Sequence, residues 1–288
     1  MTRTAHKLTR IEPEVFMRIL TVLFTLLIAG PAAAHEFWLE PQEYQVETGG
    51  MLAAQVVNGE KFEGVKLAYF PQRFARFDVV SGGEAAPYEG RAGDTPALQL
   101  EDPPDGLLTL VYVSKPASLR YEAFEKFQTF ADHKDFANIE ARHRDRGLPM
   151  EDFTESYTRF ARSIVAVGDG TGADAPSGIE TEIVALANPY VEALTEMPVQ
   201  VFYQGAPRTD VQVELFAKAP DGSVAVTLHR TDAEGIARLP VRPGHSYLAD
   251  AVVLREPSEA ALDARADAVW ETLWASLTFA VPAETPPS

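Results

Sequence analysis

A histidine left as the first residue of a chain carries an α-amine and an imidazole together, and the two nitrogens can close a ring on one metal ion. His35 stands where processing would make it such a residue. Ala32-Ala33-Ala34 precedes it, with small side chains at the third and first positions before the cut, as a signal peptidase requires. A neutral amine and ring nitrogen Nδ1 suit nickel, cobalt, copper and zinc. One more imidazole or carboxylate would complete a useful set. The plainer reading is that cleavage leaves a histidine first by chance, at the start of an ordinary strand over His35–Glu40.

The candidates to complete the set are His133 and His143, with Asp132, Asp135 and Glu140 nearby. His133 falls where a helix begins and reads as the more exposed, freer ligand. His143 shares an apolar face with Phe136 and Ile139, which also suits a satisfied core histidine. His229 lies out of phase with Val224, Val226 and Leu228 and reads as solvent-facing, and His245 sits in the turn Pro243-Gly244-His245.

Trp38, Trp270 and Trp274 can be read as a sugar-stacking platform or as core, and core is the commoner use. Gly168–Asp174 is rich in glycine and aspartate, but its acidic spacing misses the calcium-loop pattern. The chain has no hydrolase elbow, P-loop, dinucleotide fingerprint or H-E-x-x-H helix. Its residues support no catalysis, and the expectation is a protein that is not an enzyme.

Behind these residues stands an export segment. Ile19–Ala29 is apolar and uncharged, Arg18 precedes it, and Gly30-Pro31 follows. At about 11 residues the run is too short for a spanning helix, which needs roughly 20. Residues 1–34 therefore read as a cleaved signal peptide, with no membrane insertion of what remains and a periplasmic destination. Glu12 and Glu14 sit where the leading region should be basic, so Met17 is the better start.

The chain has 288 residues, a formal net charge of −17 and no cysteine. Removing residues 1–34 makes it more acidic still, which disfavours nucleic acid and anionic membranes. With no disulfide available, stability must come from buried apolar surface.

From His35 to about Ser114, short alternating runs (Leu52/Ala54/Val56, Leu98/Leu100, Leu108/Leu110/Tyr112) are punctuated by turn signals such as Asn58-Gly59. Phe124, Phe127 and Phe130 then follow a helical spacing, as do Phe136, Ile139 and His143. A break is expected near Ala131–Asp132, with Asp132 as an N-cap. A third helix is expected from Pro149, with Phe153, Tyr157, Phe160 and Ile164 on its buried face. Strand rhythm returns from Ile179.

The expected fold is thus mainly β: two antiparallel, Ig-like or transthyretin-like sandwiches with a helical segment between them. The expected boundaries are a sandwich over 35–116, the helical segment over 117–168, a linker over 169–178 and a second sandwich over 179–283.

His35-Glu36-Phe37-Trp38-Leu39-Glu40-Pro41 after the signal resembles the opening of domain-of-unknown-function family 4198. YTRFARSIVAVG (157–168), TEIVALANPY (181–190), PVQVFYQGAPRTDVQVELF (198–216), TDAEG (231–235) and WETLWASLTF (270–279) extend the resemblance over nearly all of the chain after residue 34. Members are exported bacterial proteins often labelled periplasmic components of nickel or cobalt uptake. Some neighbours carry a glycoside-hydrolase-like label that no catalytic residue here supports. The half from Pro198 is similar to the transthyretin-like or carboxypeptidase-regulatory sandwich. Where many members carry a histidine near the penultimate strand, this chain reads Asp250-Ala251-Val252-Val253, which shifts the expected metal site towards His35.

The resemblance and the terminal histidine together imply a periplasmic divalent-metal-binding accessory protein, with nickel or cobalt as the ion and a membrane transporter component as partner. A non-catalytic scaffold binding a peptide, glycan or membrane protein is the alternative. A copper-dependent enzyme would need a second histidine close to His35.

Overall fold

The long central strands of this chain bury one or both of their faces, and three sheets follow from which faces those are. The computed structural model describes residues 35–283. The signal segment 1–34 and the start at Met17 lie outside the described residues.

The first strands are β1 Glu36–Pro41, β2 Gln45–Val46, β3 Met51–Glu60, β4 Glu63–Leu67, β5 Phe74–Ser81 and β6 Glu84–Pro87. Next come β7 Leu98–Glu101, β8 Gly106–Ser114 and β9 Ala117–Tyr121, then helices α1 Phe124–His133 and α2 Ile139–Asp145, then β10 Phe153–Val167. The remainder comprises β11 Thr181–Ala185, β12 Glu196–Tyr203, β13 Ala206–Pro207, β14 Gln212–Lys218, β15 Val224–Arg230 and β16 Ile236–Pro240. Last are β17 Ser246–Arg255, helix α3 Glu259–Ala264 and β18 Ala268–Ala280.

The fold is mainly β, with antiparallel and mixed sheets. A central sheet runs in the order β15-β14-β17-β18-β10-β8-β5-β6. Its middle pair, β10 and β18, is parallel, and β18 is antiparallel to β17 on its other side. A second sheet, β1-β3-β4 with β7 on β3, covers part of one face. A third, β11-β12-β13 with β16 on β12, covers part of the opposite face.

β10 explains the architecture. Its alternate residues Ala161, Val165 and Val167 enter a core with Phe37, Leu39, Leu52, Phe77 and Leu108 under the second sheet. Ile164 enters the other core, with Ile183, Val199, Leu215 and Leu277 under the third. Burying a leucine or isoleucine side chain fully is worth roughly 1.5–3 kcal/mol, so two such cores suffice for a chain without disulfides.

The third helix expected from Pro149 is therefore corrected to a strand. Phe153, Tyr157, Phe160 and Ile164 match a helical spacing, yet they alternate between two buried faces of a sheet. A strand buried on both sides carries no clean period-two signal to contradict the coincidence.

The helical break also moves. α1 runs through Asp132 to His133, and Phe136 donates its N–H to Ala131 O to close it. Asp135 and Asn138 turn the chain with φ of 60° and 57°, a backbone region that Asp and Asn tolerate better than most residues. Asn138, not Asp132, precedes α2.

Residues 169–178, expected as a linker, are tied down by Arg162, whose side chain is fully buried. It donates to Asp174 Oδ1, Ala175 O and Ile183 O, each at 2.7 Å. Asp174 also accepts from Thr109 Oγ1 and Ala185 N, so its oxygens are already committed to protein donors.

Candidate metal centre

β1 alternates its residues between two destinations. Phe37 and Leu39 enter the core beneath the second sheet, while Trp38 points the other way, against Val57, Phe62, Phe216 and Leu248. All three tryptophans of the chain are buried, so their core reading holds and none offers a platform for a sugar.

β1 pairs with β3, and the first partners are Glu36 and Gly59. Asn58-Gly59, expected as a turn, lies within β3. The reversal comes two residues later, at Lys61 and Phe62, with φ of 51° and 62°. Gly59 is needed for another reason: a Cβ there would fall 2.4 Å from Gly64 Cα on β4. Phe62 is held in its unfavourable backbone region by burial beside Trp38, ring centroids 5.5 Å apart. Lys61 N–H donates to Glu36 Oε2 at 3.2 Å.

This hairpin end sets the surroundings of His35. One step beyond the Glu36–Gly59 pair, the register places His35 opposite Glu60. His35 Nε2 lies 3.6 Å from Glu60 Oε1, with the side chains 55% and 45% exposed. An exposed pair of this kind is worth about 0–1 kcal/mol, too little to matter for stability. Imidazole and carboxylate are donors that suit a borderline divalent ion. The α-amine joins them in a chain that begins at His35.

Beneath β1 lies a buried polar layer. Glu214 on β14 and Asp250 on β17 are register partners, and like charges directly opposite destabilise a sheet. Lys134, the residue after α1, resolves the conflict: its Nζ is 2.7 Å from Glu214 Oε2 and 2.7 Å from Asp250 Oδ2. Burial opposes the ammonium, but the two carboxylates outweigh it and hold its pKa above the usual lysine range. The same ammonium lies 5.0 Å from the ring of Trp274, and the guanidinium of Arg159 is 4.1 Å from that ring. Glu36 borders the layer. Burial, with Asp250 adding to it, pushes its carboxyl up to about 7.

Lys134 thus holds the place a cation would take between these carboxylates, so the layer is a closed ion cluster rather than an open metal site. Among the described residues no group of three or more His, Asp or Glu side chains gathers to hold an ion.

The other expected ligands are placed apart. His133 Nε2 is 3.3 Å from Glu214 Oε2, at the rim of the Lys134 cluster, with its side chain 55% exposed. His143 is fully buried. Its Nδ1 accepts from Trp270 Nε1 at 2.9 Å, and its Nε2 donates to Pro149 O at 2.8 Å. Both ring nitrogens are committed, so the expectation that His143 serves as a ligand is corrected: it is a core histidine. His229 contacts Thr227 Oγ1, and His245 contacts Pro243 O.

Sequence reasoning missed Glu60 and the Lys134 cluster. Glu60 was legible in principle as the residue one step beyond a β1–β3 pairing. Lys134 and Asp250 are 116 residues apart, and no local pattern links them.

The family profile described as Domain of unknown function (DUF4198) matches residues 32–255. That stretch ends with the last residue of β17 and leaves out β18. No curated protein matches the chain.

Proposed function

The chain belongs to the DUF4198 family, and from that premise we propose that it is an exported, periplasmic protein that binds a divalent transition ion through His35. Nickel or cobalt is the leading ion, with copper or zinc as alternatives. The observation that carries this reading is His35 itself, which heads a fixed strand with its far ring nitrogen turned to Glu60 and its side chain open to solvent. An amine and Nδ1 on one exposed residue leave most of an ion's coordination positions free. Such a site suits an ion passed onward to a membrane transporter component better than one stored.

Calorimetric titration with Ni²⁺, Co²⁺, Cu²⁺ and Zn²⁺ tests it, on protein starting at His35, protein extended through Ala34, and His35→Ala. The expected result is a dissociation constant below about 0.1 mM, or roughly −5.5 kcal/mol, for the first form alone. Equal binding by all three ends the proposal.

A second reading is a non-catalytic scaffold for a protein or glycan partner. β15 favours it: this strand ends the central sheet, its outer edge has no partner among the described residues, and Val226 and Leu228 are exposed. Such an edge can accept another strand. Copurification of one partner that resists chelator would favour this reading over metal binding.

A further inference from the structure

We infer that β15 is a dimer edge, at which two copies of this chain join their β15 strands antiparallel about a two-fold axis at Thr227. It is independent of the His35 site, and it gives to a second copy the edge that the scaffold reading leaves to a foreign partner.

Natural sheet edges are kept short, or carry charges or proline, so that they do not template further pairing. Other edges of this chain follow that rule. β6, at the far end of the central sheet, has four residues and closes on Pro87. β4 places Glu63 and Lys66 among its five, and β13 is two residues with Pro207. β15 does not follow it. Its seven residues pair with β14 alone among the described residues, without a bulge, and include no proline, lysine or carboxylate. Val226 and Leu228 are 40% and 58% exposed.

Hydrogen bonds at the two ends of the β14–β15 hairpin show which backbone groups are free. Ala219 N–H donates to Ser223 O at one end, and Thr231 N–H to Val211 O at the other. Bonded and unbonded pairs alternate along an antiparallel ladder, so Ala225, Thr227 and His229 turn their N–H and C=O towards β14. Those of Val224, Val226, Leu228 and Arg230 point outward.

A second copy fits that edge. In a two-fold interface residue i meets j and j meets i. With Thr227 opposite itself, Val226 meets Leu228 and Val224 meets Arg230, so every outward donor and acceptor finds its counterpart. Val226 and Leu228 of both copies then form one apolar row across the seam and leave water together. Charge allows the approach here. The chain carries a formal net charge of −17, so two copies meet best where carboxylates do not face each other, and β15 has none. Asp135 and Asp210, at the strand's end, are paired with Arg230. The two Arg230 side chains are six residues apart along the seam, roughly 20 Å.

The register gives a direct test. Thr227 opposite Thr227 is a non-hydrogen-bonded pair with Cα atoms about 4.5 Å apart, within the disulfide range of about 4.4–6.8 Å. The chain has no cysteine, so Thr227→Cys supplies one thiol per copy. Mild oxidation of the purified variant should give a disulfide-linked dimer. Ala225→Cys, whose two thiols would be offset by four residues or about 13 Å, should not. Sedimentation velocity over a concentration series should show a reversible dimer in the parent and a monomer in Val226→Lys/Leu228→Lys, which sets lysine against lysine. Mixing that variant with Val226→Glu/Leu228→Glu should restore a dimer, because opposite charges then face each other. Val65→Lys, at an exposed residue of β4, should dimerise like the parent. Circular dichroism checks that each variant keeps its fold.

A parent that stays monomeric up to about 1 mM overturns the inference and leaves the edge to a foreign strand. A dimer that persists in the lysine double variant overturns it too, because another surface then joins the copies. Cross-linking of Ala225→Cys as fast as Thr227→Cys rules out the pairing about Thr227.

Discussion

The indole nitrogen of Trp270, on β18, donates across 2.9 Å to Nδ1 of His143, on α2. That bond fixes His143 as the neutral Nε2–H form, and burial holds its pKa below the usual histidine value. A group held neutral in the fold binds fewer protons than the unfolded chain. Its contribution is therefore complete above the unfolded value and declines as pH falls below it. His143→Ala should lower stability by about 1–3 kcal/mol from the orphaned indole N–H alone, and more from the cavity. Urea unfolding at pH 7.5 reads the loss. Ni²⁺ affinity should not change, and a large drop in a folded variant would restore His143 as a ligand.

Removing the ammonium from the buried layer should be costly. Lys134→Met leaves Glu214 and Asp250 facing each other without a counter-charge, and breaking a buried pair in this way costs about 3–5 kcal/mol. Adding Glu214→Gln and Asp250→Asn should recover a large part. A triple variant as unstable as Lys134→Met would mean that packing, rather than charge, holds α1 to the sheet.

Glu36 should make the protein less stable as pH rises through the window set by its shift. Its carboxyl is raised from about 4.5 to about 7, so the folded state holds a proton that the unfolded state releases between those values. The shift of about 2.5 corresponds to roughly 3 kcal/mol at full extent, reached near pH 7 and absent below pH 4.5. Glu36→Gln still accepts from Lys61 and has no charge to bury. It should match the parent near pH 4.5 and exceed it at pH 8. Parallel melting curves across pH 4.5–8 would refute this.

Arg162→Met should release residues 169–178. The guanidinium holds Asp174, Ala175 and Ile183, and its loss leaves Asp174 and Glu182 buried without their cation. Limited proteolysis should cut within 173–177 in the variant while the parent resists. Equal resistance would show that Asn188, which donates to Gly170 O and Gly172 O, suffices to hold the loop.

The strands legible in the sequence were those with one apolar face against a wet or polar one. Val199 and Val201 on β12 show it, and so do Val213 and Leu215 on β14. β10 was lost because it is buried on both sides, and β9 because its short alternation of Ala117, Leu119 and Tyr121 runs directly into the helical spacing of Phe124, Phe127 and Phe130. Asn58-Gly59 has the composition of a hairpin turn, but its glycine serves a close approach between strands, and local spacing cannot separate the two causes. His35 was found from its position after a cleavage motif. Glu60 and Lys134 act through pairings that exist only once the sheets have formed.

The parallel contact between β10 and β18 sets an order on how the molecule comes into being. β18 is the last strand made among the described residues, yet it lies between β10 and β17 and joins the two flanks of the central sheet. The edges of β10 and β17 that pair with it stay open until residue 280 has been synthesised. A nascent chain of this kind exposes those edges to self-association until then, and removing residues 268–280 would leave two unsealed flanks rather than a slightly shorter sheet.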